Sequence, residues 1–165
     1  MPNISLRPAG PADQSLLEYW DQQPHVIASD PDDDWEWAKE LAHDPPWREQ
    51  LIAELDGTPI GFLQIIDLAE EETHYWGVVP PNLRAIDIWI GEADQLGQGY
   101  GTQMMKMAID RCFRNSKVKA ILLDPLVTNL GAHRFYERLG FIRIEERVFS
   151  GSSCYVYRLN RSQSF

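Results

Sequence analysis

Cysteine, histidine and long apolar runs are all scarce in this chain of 165 residues, and each shortage excludes something. The two cysteines are Cys112, in a helical pattern, and Cys154, in a strand-like one. Neither has a CxxC partner or a Cys/His spacing nearby, so free buried thiols in a reducing compartment are expected, not a disulfide framework. His25, His43, His74 and His133 are scattered, which argues against a structural zinc site, and no metal is expected. No apolar run approaches the roughly 20 residues that span a bilayer, and Met1-Pro2-Asn3 leads directly into a strand-like segment instead of a signal peptide. The expectation is a cytoplasmic protein. Repeats, low-complexity tracts and linkers are also missing, and the length suits one domain, 1–165, with a sizeable core.

Positive charge is the other shortage. Lys and Arg total 15 against 25 Asp and Glu, a formal net charge of −10. Such a surface repels nucleic acid and anionic membrane and favours a cationic partner. The acids are clustered: Asp30, Asp32, Asp33, Asp34 and Glu36 crowd one segment, and Asp67, Glu70, Glu71 and Glu72 another. Solvated loops are the plain reading of both clusters.

The elements follow from periodicity and breakers. Ile4 to Pro8 alternates like an edge strand, and Pro11-Ala12-Asp13 opens a helix with Leu16, Leu17 and Trp20 on one face. Asp34 caps a predicted helix through Trp35, Trp37, Ala38 and Leu41, ended by Asp44-Pro45-Pro46. Asp56-Gly57 between two apolar runs is a strong hairpin signal. Residues 69–82 read as a loop, and Arg84 to Ile90 as a central strand. A helix from Thr102 to about Asn115 follows, then a strand from Lys117 to Leu123. A helix near 129–139 and strands near 141–148 and 153–159 complete the order β-α-α-β-β-β-α-β-α-β-β.

Gln95-Leu96-Gly97-Gln98-Gly99-Tyr100-Gly101-Thr102 lies between the central strand and its following helix. Glycine permits positive φ and close approach of a ligand, and the first N–H groups of a helix have no intrahelical partner. Strand, glycine turn and helix therefore form a phosphate-binding device, although the same order also serves as a simple connection. Downstream come Leu122-Leu123-Asp124-Pro125, then Asn129, Phe135-Tyr136 and Gly140-Phe141.

Together these segments resemble the GCN5-related N-acetyltransferase (GNAT) superfamily. Its glycine turn usually has Arg or Gln three residues before the first of its two glycines; here Leu96 holds that position and Gln95 stands one residue earlier. The resemblance implies an α/β (α+β) GNAT fold: a central mixed, mostly antiparallel twisted sheet with a splayed parallel strand pair and helices on both faces. It implies acetyl-CoA as cosubstrate, its pyrophosphate on Gln95, Gly97, Gln98, Gly99, Tyr100, Gly101 and Thr102. The pantetheine arm would lie along Ile88, Trp89 and Ile90, with Asn129 and Phe135 also on the coenzyme side.

Within the superfamily the pattern Arg84-Ala85-Ile86-Asp87, the glycine turn and Asp124-Pro125 look like the aminoglycoside 6′-N-acetyltransferases, enzymes of antibiotic resistance. That implies Asp87 as base or amine anchor and Asp124 as the partner of a second amine. Tyr136 matches the tyrosine that gives a proton to the coenzyme A thiolate. A carboxylate such as Asp87 in an apolar strand needs a reason in any case, since burying it unpaired costs several kcal/mol. A salt bridge with Arg84 or an exposed strand face would be a structural one. Asp124 before proline also suits a turn, and Tyr136 a half-buried helix aromatic. Trp35, Trp37, Tyr75 and Trp76 offer aromatic faces to sugar rings or ammonium groups, with Trp35, Tyr75 and Trp76 the expected acceptor contacts. Helical spacing would turn Trp35 and Trp37 in different directions, so that at least one packs. Acceptors other than an aminoglycoside, namely a peptide or protein amine or a polyamine, fit the same donor site, as does a non-catalytic coenzyme A sensor. The expected partner is a cationic amine, with no nucleic acid and no membrane, for a monomer or homodimer.

Overall fold

The computed structural model describes residues 2–31 and 34–161. Seven strands form one sheet: β1 (Ile4–Pro8), β2 (Arg48–Leu55), β3 (Thr58–Asp67), β4 (Leu83–Ile90), β5 (Ala120–Leu123), β6 (Ile142–Phe149) and β7 (Ser152–Asn160). Their spatial order is β1-β2-β3-β4-β5-β7-β6. Among the described residues, β4 and β5 are the only strands that pair in parallel. The helices are α1 (Gln14–Asp21), α2 (Pro24–Ser29), α3 (Trp37–Leu41), α4 (Tyr100–Phe113) and α5 (Leu130–Arg138).

The Asp56-Gly57 hairpin forms as the sequence predicts: both residues take positive φ, 49° and 88°, as the tight turn joining twisted antiparallel strands requires. Its register is less simple. Leu55 faces Thr58 and Glu54 faces Pro59, but Ala53 faces Gly61, so a bulge shifts every later pair by one residue.

Alternate residues of the sheet pack on opposite faces. Leu51, Ala53, Leu63 and Ile65 join Met104, Met105, Ala108 and Ile109 of α4 and Tyr136 of α5 on one face. Ile52 and Phe62 join Leu17 and Trp20 of α1 and Trp37 and Leu41 of α3 on the other. A third cluster, including Ile66, Trp76, Leu83, Ala85 and Leu122, lies near the start of β4.

Two expectations in the first third are corrected. A separate helix, α2, begins at Pro24, whose fixed φ suits a first helical position; the sequence reading had none there. The helix expected from Asp34 starts only at Trp37, after Glu36 in the left-handed region at φ 49°. Trp35 therefore lies outside it, and its ring stacks parallel on Trp37 at 4.8 Å instead of pointing elsewhere.

Gly91 sets the tightest joint between α1 and the sheet. A Cβ there would fall inside the van der Waals envelope of the Trp20 indole, which is fully buried and donates from Nε1 to Glu92 Oε2 at 2.6 Å. We expect Gly91→Ala to destabilise the fold by about 1–3 kcal/mol through overpacking. Gly10→Ala, where a Cβ meets nothing within 4 Å, should leave urea denaturation nearly unchanged; equal midpoints for the two variants would contradict the packing.

Candidate active site

The parallel pairing is short: Leu83 with Ala120, Arg84 with Ile121 and Ala85 with Leu122. β4 continues to Ile90 against β3, whereas β5 stops at Leu123. Beyond Ala85 the two strands part, and a groove of about 750 Å³ opens between them. Asp87, Asp124 and Tyr136 all line it, as do Trp35, Tyr75 and Asn129.

Asp87 stands on β4 directly across from Gln64 on β3, whose Nε2 donates to Asp87 Oδ2 at 2.9 Å. The alternative of a salt bridge to Arg84 is not realised, because Arg84 pairs with Asp67 at 3.2 Å. Burial raises the Asp87 carboxyl above the ordinary carboxylate range, the Gln64 hydrogen bond opposes this, and Asp30 adds to it. Asp124, just past the end of β5, is raised well above that range, first by burial and then by the charges of Asp87 and Asp30. The Asp87 charge helps to raise Asp124, so joint ionisation of the two is disfavoured until a cation arrives.

Tyr136 reaches the groove from α5, on the opposite face of the sheet, and is buried among Phe135, Phe141 and Tyr157. Burial, then Asp87 and Asp124, push its phenol upward. Its hydroxyl therefore stays protonated at neutral pH. Tyr75, at the rim and 40% exposed, is raised by desolvation and by the same two acids.

The residues expected on the coenzyme side lie around the glycine turn and along β4. Gly97 and Gly99 take positive φ, 72° and 85°, and a Cβ on either would meet nothing within 4 Å of the protein itself. Gly99 precedes α4 without any side-chain cap, which leaves the helix N-terminus to a ligand. Gly97, Gln98 and Gly99 are exposed and lie outside the acidic groove. Gln98 donates to the Asp94 carbonyl oxygen at 2.7 Å. Gln95 closes the short turn Ala93–Gln95. Gly101 lies beside Phe135 and Ile90, Thr102 is half-buried, and Tyr100 packs into the core. On β4, Ile88, Trp89 and Ile90 are half-buried, with the Ile90 carbonyl oxygen 2.8 Å from His25 Nε2. These features suit a pyrophosphate on α4 and an extended arm along β4.

Several sequence-predicted residues have other duties. Trp76 is not a groove residue: it is 3% exposed, packs on Phe149 at 4.9 Å and sits under the Arg147 guanidinium. Asn129 caps α5, accepting from the Ala132 N–H at 3.2 Å. In the second acidic cluster, Glu71 turns inward to accept from the Thr73 backbone and hydroxyl, and Glu72 faces His43. Asp67 pairs with Arg84 of β4, and Glu71 also lines the groove. From the first cluster Asp30, Asp34 and Glu36 line the groove, while Asp32 and Asp33 lie outside the described residues.

Two contributors escaped the sequence reading. Gln64 interrupts an apolar strand just as Asp87 does, which was the available signal. The Trp89 side chain, expected to contribute only its backbone, joins Trp35, Trp37 and Phe62 in an aromatic wall, with Phe62 and Trp89 centroids 4.6 Å apart. Among the described residues no cluster of His, Cys, Asp or Glu suits a metal ion, and no helix is long and apolar enough to cross a membrane.

Comparisons with known proteins agree with this geometry. The aminoglycoside N(6')-acetyltransferase type 1 of Klebsiella pneumoniae is 34% identical over 115 residues, covering 69% of this chain and 57% of that protein. The chain thus spans a little over half the length of that curated relative. The lysine N-acyltransferase MbtK of Mycobacterium tuberculosis is 26% identical over 153 residues, covering 84% of this chain and 69% of the relative. Among solved structures, aminoglycoside acetyltransferase AAC(6')-Ib in complex with coenzyme A and kanamycin superposes with a TM-score of 0.85 at 26% identity, covering 98% of this chain and 96% of that one. Residues 10–149 match the acetyltransferase (GNAT) domain, a span that holds the splayed strands, the glycine turn and every groove acid described above; the chain belongs to the GNAT acetyltransferase family.

Proposed function

We propose that the protein is an acetyl-CoA-dependent N-acetyltransferase that acylates a primary amine of a cationic small molecule, with the 6′-amine of an aminoglycoside the favoured acceptor. The observation that carries this reading is the pair of raised carboxyls, Asp87 and Asp124, lining one groove at the splay. A buried acid pair is stabilised by a ligand that brings two positive charges, and an aminoglycoside or polyamine does so. The aromatic wall of Trp35 and Trp89 suits sugar rings and ammonium groups, and similarity to the Klebsiella pneumoniae enzyme favours the aminoglycoside.

Acetyl-CoA supplies the activated acyl group; the chain's residues do the rest by direct transfer in a ternary complex. The uncapped start of α4 receives the pyrophosphate, and the free edge of β4 at Ile88 to Ile90 aligns the pantetheine arm. Backbone N–H groups there polarise the carbonyl that the amine attacks. Asp87 accepts the ammonium proton, Asp124 holds a neighbouring amine, and Tyr136 donates a proton to the departing thiolate. Similarity to a lysine acyltransferase supports a second reading, in which the acceptor is a lysine or polyamine amine.

Thiol release from acetyl-CoA, measured across aminoglycosides with and without a free 6′-amine, polyamines and lysine peptides, decides between these. Turnover confined to 6′-amine compounds is expected; turnover only with polyamines or peptides selects the second reading, and coenzyme A binding without any turnover would mean a sensor. Asp87→Asn should lower kcat more than tenfold with the KM for acetyl-CoA nearly unchanged; unaltered turnover would reject the base. Gly99→Val forces a β-branched residue to φ 85° and should raise the KM for acetyl-CoA. The raised carboxyls also make a stability prediction. Between the ordinary carboxylate pKa and the raised one, the folded protein binds more protons than the unfolded chain, so stability falls as pH rises through that window. Asp124→Asn removes that residue's share of the loss: its melting temperature should exceed that of the parent increasingly as pH rises through the window, while its amine affinity falls. Parallel melting curves against pH would contradict the burial of this acid.

A further inference from the structure

A row of polar side chains crosses the groove face of the sheet between two apolar clusters. Gln50 on β2 stands opposite Gln64 on β3, and Gln64 opposite Asp87 on β4. Gln50 Nε2 donates to Gln64 Oε1 at 2.9 Å, and Gln64 Nε2 donates to Asp87 Oδ2 at 2.9 Å. At the far end Gln50 Nε2 also donates to Glu40 Oε2 at 3.2 Å, and that oxygen accepts from the Arg48 guanidinium as well. Arg48 is buried and is further tied to the carbonyl oxygens of Glu40 and His43.

The direction of donation in this row is set from the end remote from the reaction. Glu40 Oε2, occupied by Arg48, can only accept, so Gln50 must turn its NH2 toward it. The second hydrogen of that NH2 points to Gln64, which must answer with its carbonyl oxygen. Gln64 then has only its NH2 left for Asp87. Rotating either amide by half a turn would set NH2 against NH2 or oxygen against carboxylate, each leaving buried groups unpaired.

We propose that Gln50 and Gln64 are positioning residues, a polarity relay anchored by Glu40 and Arg48 that keeps a donor on Asp87 Oδ2 and thereby assigns Oδ1 as the oxygen that exchanges a proton with the substrate amine. In that step an N–H bond of the ammonium breaks, its electron pair stays on nitrogen, and an O–H bond forms at Oδ1. The inference rests on the reading of Asp87 as the base. Other titratable groups facing Asp87 are Asp30 after α2, Tyr75 before β4, Asp124 after β5 and Tyr136 of α5; Arg147 of β6 acts on Asp124.

The test is the Asp87 carboxyl titration followed by carbon-13 NMR in the whole chain, without substrate, in an Asp124→Asn background so that the midpoint belongs to one group. Gln64→Met, which removes the donor, should raise the midpoint by about one pH unit. Gln50→Met touches no atom of Asp87, yet should raise it by about half a unit. The double variant should match Gln64→Met alone, because Gln50 acts only through Gln64. Gln50→Asn, too short to span from Glu40 to Gln64, carries the same expectation should the methionine variant fold poorly. An unmoved midpoint in the Gln50 variants, or an equal shift when Gln64 is already methionine, overturns the relay. With Asp124 intact, the acid limb of kcat/KM should move in the same sense while the KM for acetyl-CoA stays constant. Shifted titrations in a protein that acetylates no amine would uphold the relay and remove the proposed reaction instead.

Discussion

Everything at the site depends on β4 and β5 parting after a short parallel run. β5 ends at Leu123, and Asp124-Pro125 carries the chain on beside β7. The chain beyond it does not leave the sheet; it follows β7. The Tyr155 N–H donates to the Pro125 carbonyl oxygen at 2.9 Å and the Val127 N–H to that of Ser153 at 3.0 Å, with Leu126 bridging Cys154. Attachment to β7 draws residues 124–127 away from β4, whose far half stays on β3. A mostly paired sheet therefore exposes one strand edge in its middle, where Tyr136 reaches through from the opposite face.

That opening lets two half-buried acids line one groove at tolerable cost. A carboxyl taken out of water is stabilised by becoming neutral or by meeting a cation. Desolvation, then Asp30, shifts Asp87 upward; desolvation, then the charges of Asp87 and Asp30, shifts Asp124. The groove is consequently less stable when empty and ionised than when it holds a polyamine, and binding energy from one amine can serve to orient another. The same burial keeps the Tyr136 phenol protonated, so the proposed acid and the proposed base sit in different environments.

Much of this was legible in the chain. Strand, glycine turn and helix form in the predicted order, and the acid inside the apolar run from Ala85 to Ile90 lines the groove. The Asp56-Gly57 hairpin formed as read, because its turn chemistry is specified by two adjacent residues. The groove's supporting row was not legible. Extending the hairpin register from Leu55 and Thr58 puts Gln50 opposite Leu63; only the bulge beyond Glu54 brings it opposite Gln64. The extra residue of that bulge, Ile60, lends its carbonyl oxygen to the Gly91 and Glu92 N–H groups, a long-range partnership that no local pattern encodes. Trp76 misled for a related reason: in sequence it lies among acids, but its burial is decided by Phe149 and Arg147, more than seventy positions away. Trp35 and Trp37 stack because Glu36 leaves helical φ between them, which helix periodicity could not anticipate.

The central claim is that Asp87 and Asp124 form a proton-holding pair which a multiply charged amine ionises. Calorimetric titration of an aminoglycoside bearing a free 6′-amine, repeated in buffers of different ionisation enthalpy on the acidic side of neutrality, measures it directly. Net proton release on binding, reduced in Asp124→Asn and in Asp87→Asn, is the predicted result. Binding with no proton exchange, or release in both variants as large as in the parent, would contradict it.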